Sequence, residues 1–304
     1  MSEHLKRYSE ALARAAELGV RCYDNPARQG EAVKAAILVL SFGTTYAETR
    51  GKTIDALVAE IQAEQPGIPV VSALTSHLVV QRIREREGIN YPLPEEALQQ
   101  LLAAGYNAIA MVTTDVLPGI EYHYALELWK EYSPQTKRMV LGTPLMYWQG
   151  QADRPDDVGD VMRAVSRVFP PLGQQEAVLL LAHGSPHLAN AYHGIMQLKL
   201  WQQGRARAFV YTVEGWPRLE DIIPQLQKLD IRHVTLLPLM LVAGNHACQD
   251  MAGSEPESHK SQLEAQGFAV EAYLHGMGEN PAIRSLYRER FRECWSVLQR
   301  ETRI

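Results

Sequence analysis

From Ala35 onward, short apolar runs alternate with longer amphipathic stretches, and this rhythm confines the chain to an α/β fold built on parallel sheets. In the first half it predicts strands near 36–41, 69–74, 107–112 and 138–142, with helices near 47–64, 76–86, 95–104 and 120–132. The second half repeats the plan: strands near 177–182, 208–213, 232–237 and 269–273, helices near 154–168, 188–202, 218–228, 257–266 and 281–299. Upstream, residues 3–19 space their apolar side chains helically and 23–30 read as a linker. The expected organisation is therefore an appendage over 1–34, a first α/β domain over 35–144 and a second over 145–304. The helix near 281–299 should pack back on the first domain.

The two halves echo each other. Ile37-Leu38-Val39-Leu40-Ser41-Phe42-Gly43-Thr44 aligns with Val178-Leu179-Leu180-Leu181-Ala182-His183-Gly184-Ser185, and Leu117-Pro118-Gly119-Ile120-Glu121 with Val242-Ala243-Gly244-Asn245-His246. Phe42 thus stands where His183 does, and Glu121 where His246 does. The chain reads as two related α/β domains facing each other.

Three strands of the second half are each followed by a residue able to ligate a metal: His183, Glu214 and His246. Open α/β sheets place their sites outside the carboxyl ends of their strands, so two imidazoles and a carboxylate should converge at one sheet edge. Taken singly, each has an ordinary structural explanation: a histidine packed at a strand end, a carboxylate on a helix dipole, a histidine exposed in a first helical turn. Convergence is what distinguishes them. The set suits Co, Ni, Fe or Zn and leaves coordination positions open, and its lack of thiolate argues against a closed structural zinc site.

The chain's 304 residues, 46% hydrophobic and 21% charged, suffice for two globular domains. A net charge of -5 gives no electrostatic reason to expect nucleic acid or an anionic membrane as partner. No run is long enough for a membrane span, and the N-terminus lacks the apolar segment of a signal peptide, so a cytoplasmic location is expected. Cys22, Cys248 and Cys294 form neither a disulfide framework nor a zinc knuckle. The P-loop, G-x-G-x-x-G and G-x-S-x-G patterns are all absent, so ATP, NAD and serine hydrolysis are not indicated.

Basic residues cluster at 81–87 and 205–207; most should form solvated helix faces, but an arginine such as Arg82 suits the carboxylates of a substrate. His77, His187 and His193 are expected at helix surfaces or interfaces. His123, near the loop that carries Glu121, is a lesser candidate for the cleft, and Glu121 a better one.

At these residues the chain resembles the anaerobic sirohydrochlorin cobaltochelatases, members of the ATP-independent class II chelatases that also include protoporphyrin ferrochelatase. The resemblance runs from about residue 35 to the end. It is carried by Ser41-Phe42-Gly43-Thr44 with Tyr46, by residues 82–89, by Val213-Glu214, by the long segment 237–246 that ends at His246, and by 278–284. It implies two α/β domains, each with a four-stranded parallel sheet flanked by helices, and a cleft between them for the macrocycle. His183, Glu214 and His246 map onto the family's metal ligands.

The activity so implied is insertion of Co2+ into sirohydrochlorin, without ATP or NAD, in oxygen-independent cobalamin synthesis. His183 would be both ligand and proton acceptor, Glu214 would attract the cation, and His246 would supply the second nitrogen. Phe42, Tyr46 and Leu117 are expected as cleft walls, with Glu121 as a cleft acid and Arg82 on the substrate's acidic groups. A ferrochelatase of sirohaem synthesis, a nickel-inserting relative and a non-catalytic metal or tetrapyrrole carrier are the alternatives, since imidazole and carboxylate do not separate these metals. A homo-oligomer is left open.

Overall fold

Why the strands lie where they do is visible in their burial: β2 (Ala35–Ser41), β4 (Ala108–Thr113), β6 (Glu176–Ala182) and β7 (Ala208–Thr212) are apolar runs buried along almost their whole length. Such runs fit strands covered on both faces, the setting of parallel sheets. The computed structural model describes residues 16–300 together with 9, 12 and 13, so most of the helix expected over 3–19 lies outside the described residues.

With β1 (Arg21–Asp24), β3 (Val70–Leu74) and β5 (Arg138–Leu141), the first sheet has the order β1-β5-β4-β2-β3. Strands β2 to β5 are parallel. The second sheet, completed by β8 (His233–Pro238) and β9 (Ala269–Ala272), has the order β7-β6-β8-β9 and is parallel throughout.

One strand departs from expectation. Residues 23–30 do not form a plain linker, because Arg21 to Asp24 pair antiparallel with Leu141 to Arg138 and give the first sheet a fifth, edge strand. The four residues are only half-buried and run directly into Asn25-Pro26, so their turn chemistry outweighs any strand signal.

The helices follow in chain order: α1 (Ala47–Arg50), a π turn (Gly51–Asp55), α2 (Ala56–Glu64), α3 (His77–Glu87), α4 (Pro94–Ala103) and α5 (Ile120–Tyr132) with the first sheet. Then come α6 (Asp157–Ser166), α7 (Tyr192–Gln202), α8 (Leu219–Lys228), α9 (His259–Ala265) and α10 (Pro281–Gln299). The single helix expected over 47–64 is thus interrupted by wider turns at 51–55.

Helix α10 starts with Pro281 at its first position and Asn280 as N-cap, the asparagine oxygen accepting from Ala282 N at 2.9 Å. Its buried residues Ile283, Tyr287, Phe291, Cys294, Trp295 and Leu298 recur at helical spacing and pack on β4 and β5. Each large apolar side chain so buried contributes roughly 1.5–3 kcal/mol.

The same helix reaches the second half through Arg290, which is 8% exposed and pairs with the buried Asp157 of α6 at 2.5 Å. On its other side Arg284 bonds Glu60 at 2.7 Å, and Arg288 and Arg292 share Glu64, all on α2. One apolar cluster, containing Val39 and Val112 of the first sheet, Val178 and Leu180 of the second and Phe291 of α10, runs through both halves.

Candidate functional site

A cavity of about 610 Å³ lies at the C-terminal ends of the parallel strands, with walls from both sheets. The first sheet contributes the loops after β2, β3 and β4; the second contributes those after β6, β7 and β8. This is where a parallel sheet directs its functional side chains.

The corresponding loops are built by one device. Gly43 and Gly184, aligned in the internal echo, both have positive φ, +97° and +81°. Each lets the chain turn sharply out of its strand, which side chains with a β-carbon resist. The turn after β6 presents His183 and that after β2 presents Phe42; both side chains are exposed and line the cavity.

His183, Glu214 and His246 come together here. Among the described residues they form a group whose ligating atoms all lie within 4.8 Å of one another. Bonds of about 2.0–2.2 Å to one ion require somewhat closer donors, so these side chains must draw together when an ion binds. The imidazoles of His183 and His246 stand nearly perpendicular, with centroids 4.8 Å apart.

Neighbouring oxygens set the tautomer of both rings. His183 Nδ1 lies 2.9 Å from the Gly184 carbonyl, which can only accept, so Nδ1 carries the hydrogen and the lone pair of Nε2 is free for a metal. His246 Nδ1 lies 2.5 Å from Asp250 Oδ2, one helical turn on, which orients this ring in the same manner. Carboxylate and carbonyl partners of this kind fix the orientation of metal-binding histidines. His246 opens a π-helical stretch, His246–Met251, a local widening common at functional positions.

Glu214 is held by backbone: its N–H donates to the His183 carbonyl at 2.9 Å. Asn190 clamps the two loops, its Oδ1 accepting from Ser185 N at 3.2 Å and its Nδ2 donating to Trp216 O at 2.7 Å. The Trp216–Pro217 peptide bond is cis.

Phe42, Tyr46, Leu117, Glu121 and Arg82 all line the same cavity. Tyr46 and Thr44 sit on a loop propped from below by Arg50, 3% exposed, which donates to the Thr44 carbonyl and is held by Glu87. That support carried no recognisable signal in the sequence. Arg205 and Arg207 lie away from the cavity, and His77 is an exposed residue at the start of α3. His123 does not line the cavity; its ring packs edge-on against His187 with centroids 4.8 Å apart.

Two lining residues were read differently from the sequence or not at all. His193, expected at a surface or interface, is 2% exposed, and its Nδ1 has no hydrogen-bond partner. Burial, helped by the nearby His183, lowers its pKa to about 4, leaving it neutral. Asp115, just beyond β4, has its carboxyl pKa pushed up to about 7, chiefly by burial and also by the charge of Glu121, against the effect of a hydrogen bond from Thr113.

No helix among the described residues is long and apolar enough to cross a membrane. In fold, the chain is similar to SirB from Bacillus subtilis with Fe3+, at TM-score 0.56 and 17% identity, covering 86% of this chain and 96% of that one. A multi-domain protein from Deinococcus radiodurans with structural similarity to chelatases matches at TM-score 0.52 and 13% identity, over 85% of this chain and 55% of its own length.

In sequence, the chain is 35% identical to the sirohydrochlorin cobaltochelatase of Salmonella typhimurium over 255 residues, 84% of this chain and 94% of that protein. It is 29% identical to the sirohydrochlorin cobaltochelatase CbiKC of Nitratidesulfovibrio vulgaris over 271 residues, 87% and 92% of the two. The family model for cobalt chelatase (CbiK) matches residues 35–296. On these matches the chain, with its parallel sheets and a cavity at their strand ends, belongs to the CbiK cobalt chelatase family.

Proposed function

We propose that this chain is a sirohydrochlorin cobaltochelatase that inserts Co2+ into the macrocycle without ATP. The observation that carries the reading is the convergence of His183, Glu214 and His246 on one wall of a cavity whose other wall comes from the first sheet. In this reading residues 35–144 and 145–304 act as the two sides of one cleft.

The reaction exchanges one dication for two pyrrole protons, so a site must hold the metal while letting it go. Two neutral imidazoles and one carboxylate bind a borderline divalent ion but leave positions open, which suits transfer rather than storage. Glu214 reduces the charge of the bound cation, and the two Nε2 atoms aim it at the cavity. Phe42, Tyr46 and Leu117 supply apolar surface for the flat ring. Arg82, exposed and lining the same cavity, would pair with carboxylates at the ring's edge.

The test is an anaerobic assay with sirohydrochlorin and Co2+, read as the absorbance change on insertion, repeated with Fe2+ and Ni2+ for relative kcat/KM. Wild-type protein turns over, with Co2+ preferred. His183→Ala abolishes insertion. Stoichiometric binding of metal or macrocycle without turnover identifies a carrier instead, and near-full activity of His183→Ala removes that residue from the mechanism.

A further inference from the structure

Insertion releases two protons, yet once His183, His246 and Glu214 are engaged with the ion, the second sheet's wall has, among the described residues, no lining base stronger than the buried His193, whose pKa lies at about 4. The wall built by the first sheet has one. Building on the chelatase reading, we infer that Asp115 is a catalytic residue that accepts the pyrrole protons from the ring face turned away from His183, Glu214 and His246.

Position supports this role. Asp115 lines the cavity from the end of β4, the strand flanked by β2 and β5 in the first sheet. A flat ring lying in the cavity has one face toward each sheet, so a cation arriving from the second sheet and a carboxylate on the first address opposite faces of the same nitrogens. The proton need not leave through the side by which the metal enters.

Rigidity supports it too. The Asp115 carbonyl accepts from Leu145 N at 2.9 Å, the preceding Thr114 N donates to Leu40 O at 2.9 Å, and Tyr287 of α10 donates its hydroxyl hydrogen to Thr114 O at 2.9 Å. Thr113 Oγ1 both accepts from Asp115 N at 3.1 Å and donates to its carboxylate. The carboxyl is therefore aimed by a fixed frame, as acid–base catalysis requires.

The charged group acting on Asp115 is Glu121 of α5; Tyr122 of α5 and Tyr287 of α10 feel the Asp115 charge in turn, and none of these groups is a cation. Burial and the Glu121 charge, against the hydrogen bond from Thr113, bring the carboxyl pKa to about 7, where a base can both take and release a proton. In each transfer an N–H bond breaks, its electron pair stays on nitrogen for the metal, and the proton forms an O–H bond on Asp115. Glu121, exposed on the same wall, relays it to water, and a second round removes the second proton.

The experiment compares wild type, Asp115→Asn and Asp115→Glu in anaerobic Co2+ insertion from pH 5.5 to 8.5, with Co2+ binding followed by calorimetry and sirohydrochlorin binding by fluorescence. Asp115→Asn is expected to lower kcat by about 10²-fold or more while KM and Co2+ affinity stay within about threefold. The rise of kcat through pH 7 disappears in Asp115→Asn and returns in part in Asp115→Glu. The inference is overturned if Asp115→Asn keeps kcat within about threefold of wild type with the pH limb intact. It is equally overturned if the loss falls on KM or metal affinity alone. Wild-type turnover, measured first, tests the underlying reading separately; binding of both substrates with no turnover would overturn both.

Discussion

Gly184 rests directly on Gly215: a β-carbon at position 184 would collide with the Gly215 nitrogen, and one at 215 would strike Asn190 Oδ1. The backbone turns that carry His183 and Glu214 are thus in contact, and their separation is set by that main-chain contact together with the Asn190 side chain that bridges them.

Gly184→Ala should therefore disable the site at its foundation. The residue has φ +81° and no room for a methyl group, so strain on the order of 1–3 kcal/mol adds to displacement of the Glu214 loop. Co2+ binding by calorimetry is expected to weaken at least tenfold, with the far-ultraviolet circular dichroism of the folded chain retained. Unchanged affinity would show that the contact does not position the two ligands.

On the proposed reading of His183, Glu214 and His246 as metal ligands, Asp250 should tune metal binding without being one of the three. Its carboxylate holds His246 Nδ1 at 2.5 Å, and loss of such a partner typically costs about 10–100-fold in metal affinity or activity. Asp250→Asn is expected to fall toward the lower end because an amide oxygen still accepts the bond, and Asp250→Ala toward the upper end. Competition against a chromophoric chelator measures both.

Arg290→Met probes the joint between halves. The guanidinium pairs with Asp157 at 2.5 Å and Glu293 at 2.8 Å, and Asp157 further accepts from Trp148 N at 2.8 Å. Removing the cation leaves a buried carboxylate uncompensated, a loss of about 3–5 kcal/mol that urea unfolding would register as a lower midpoint.

Asp115 gives stability a pH dependence of defined sign. Its folded pKa of about 7 exceeds the unfolded value near ~3.9, so the folded chain holds a proton that the unfolded chain has released. Stability from this group is complete below the unfolded pKa and declines as pH rises to about 7. Glu64 works in the opposite sense: burial opposes its charge, but hydrogen bonds from Arg292 and Arg288 hold its pKa below the ordinary value, and its contribution is lost in acid. Asp115→Asn should accordingly melt higher than wild type at pH 8, by up to about 4 kcal/mol in stability. The difference vanishes near pH 4. Thermal melts across that range decide the matter.

Much of this architecture was legible because its signals are local. Strongly periodic segments such as 120–132 and 281–299 coincide with α5 and α10, and the apolar runs coincide with strands β2 to β9. The strand-end residues His183, Glu214 and His246 could be picked out because each follows such a run, and the internal echo drew attention to Phe42 and Glu121.

What escaped depends on neighbours far along the chain. Strand β1 exists only through pairing with β5, more than a hundred residues away. His193 is read as an interfacial helix residue until the packing around α7 buries it. Asp115 was hidden by the echo itself, which sets it opposite Met240, a residue with no titratable group. Arg50 looks like one more surface cation in a linear reading, yet it underpins the loop of Thr44 and Tyr46.

The apolar cluster that threads both sheets and α10 also governs how a large, stiff guest can enter. Swinging the halves apart like jaws would wet those of its side chains that bridge the two halves, at a cost of roughly 25 cal/mol for each Å² uncovered. Rotation of rim residues such as Phe42, Leu78 and Ile120, all about half exposed, widens the mouth without uncovering that cluster. A thin guest therefore asks less of the scaffold than a thick one.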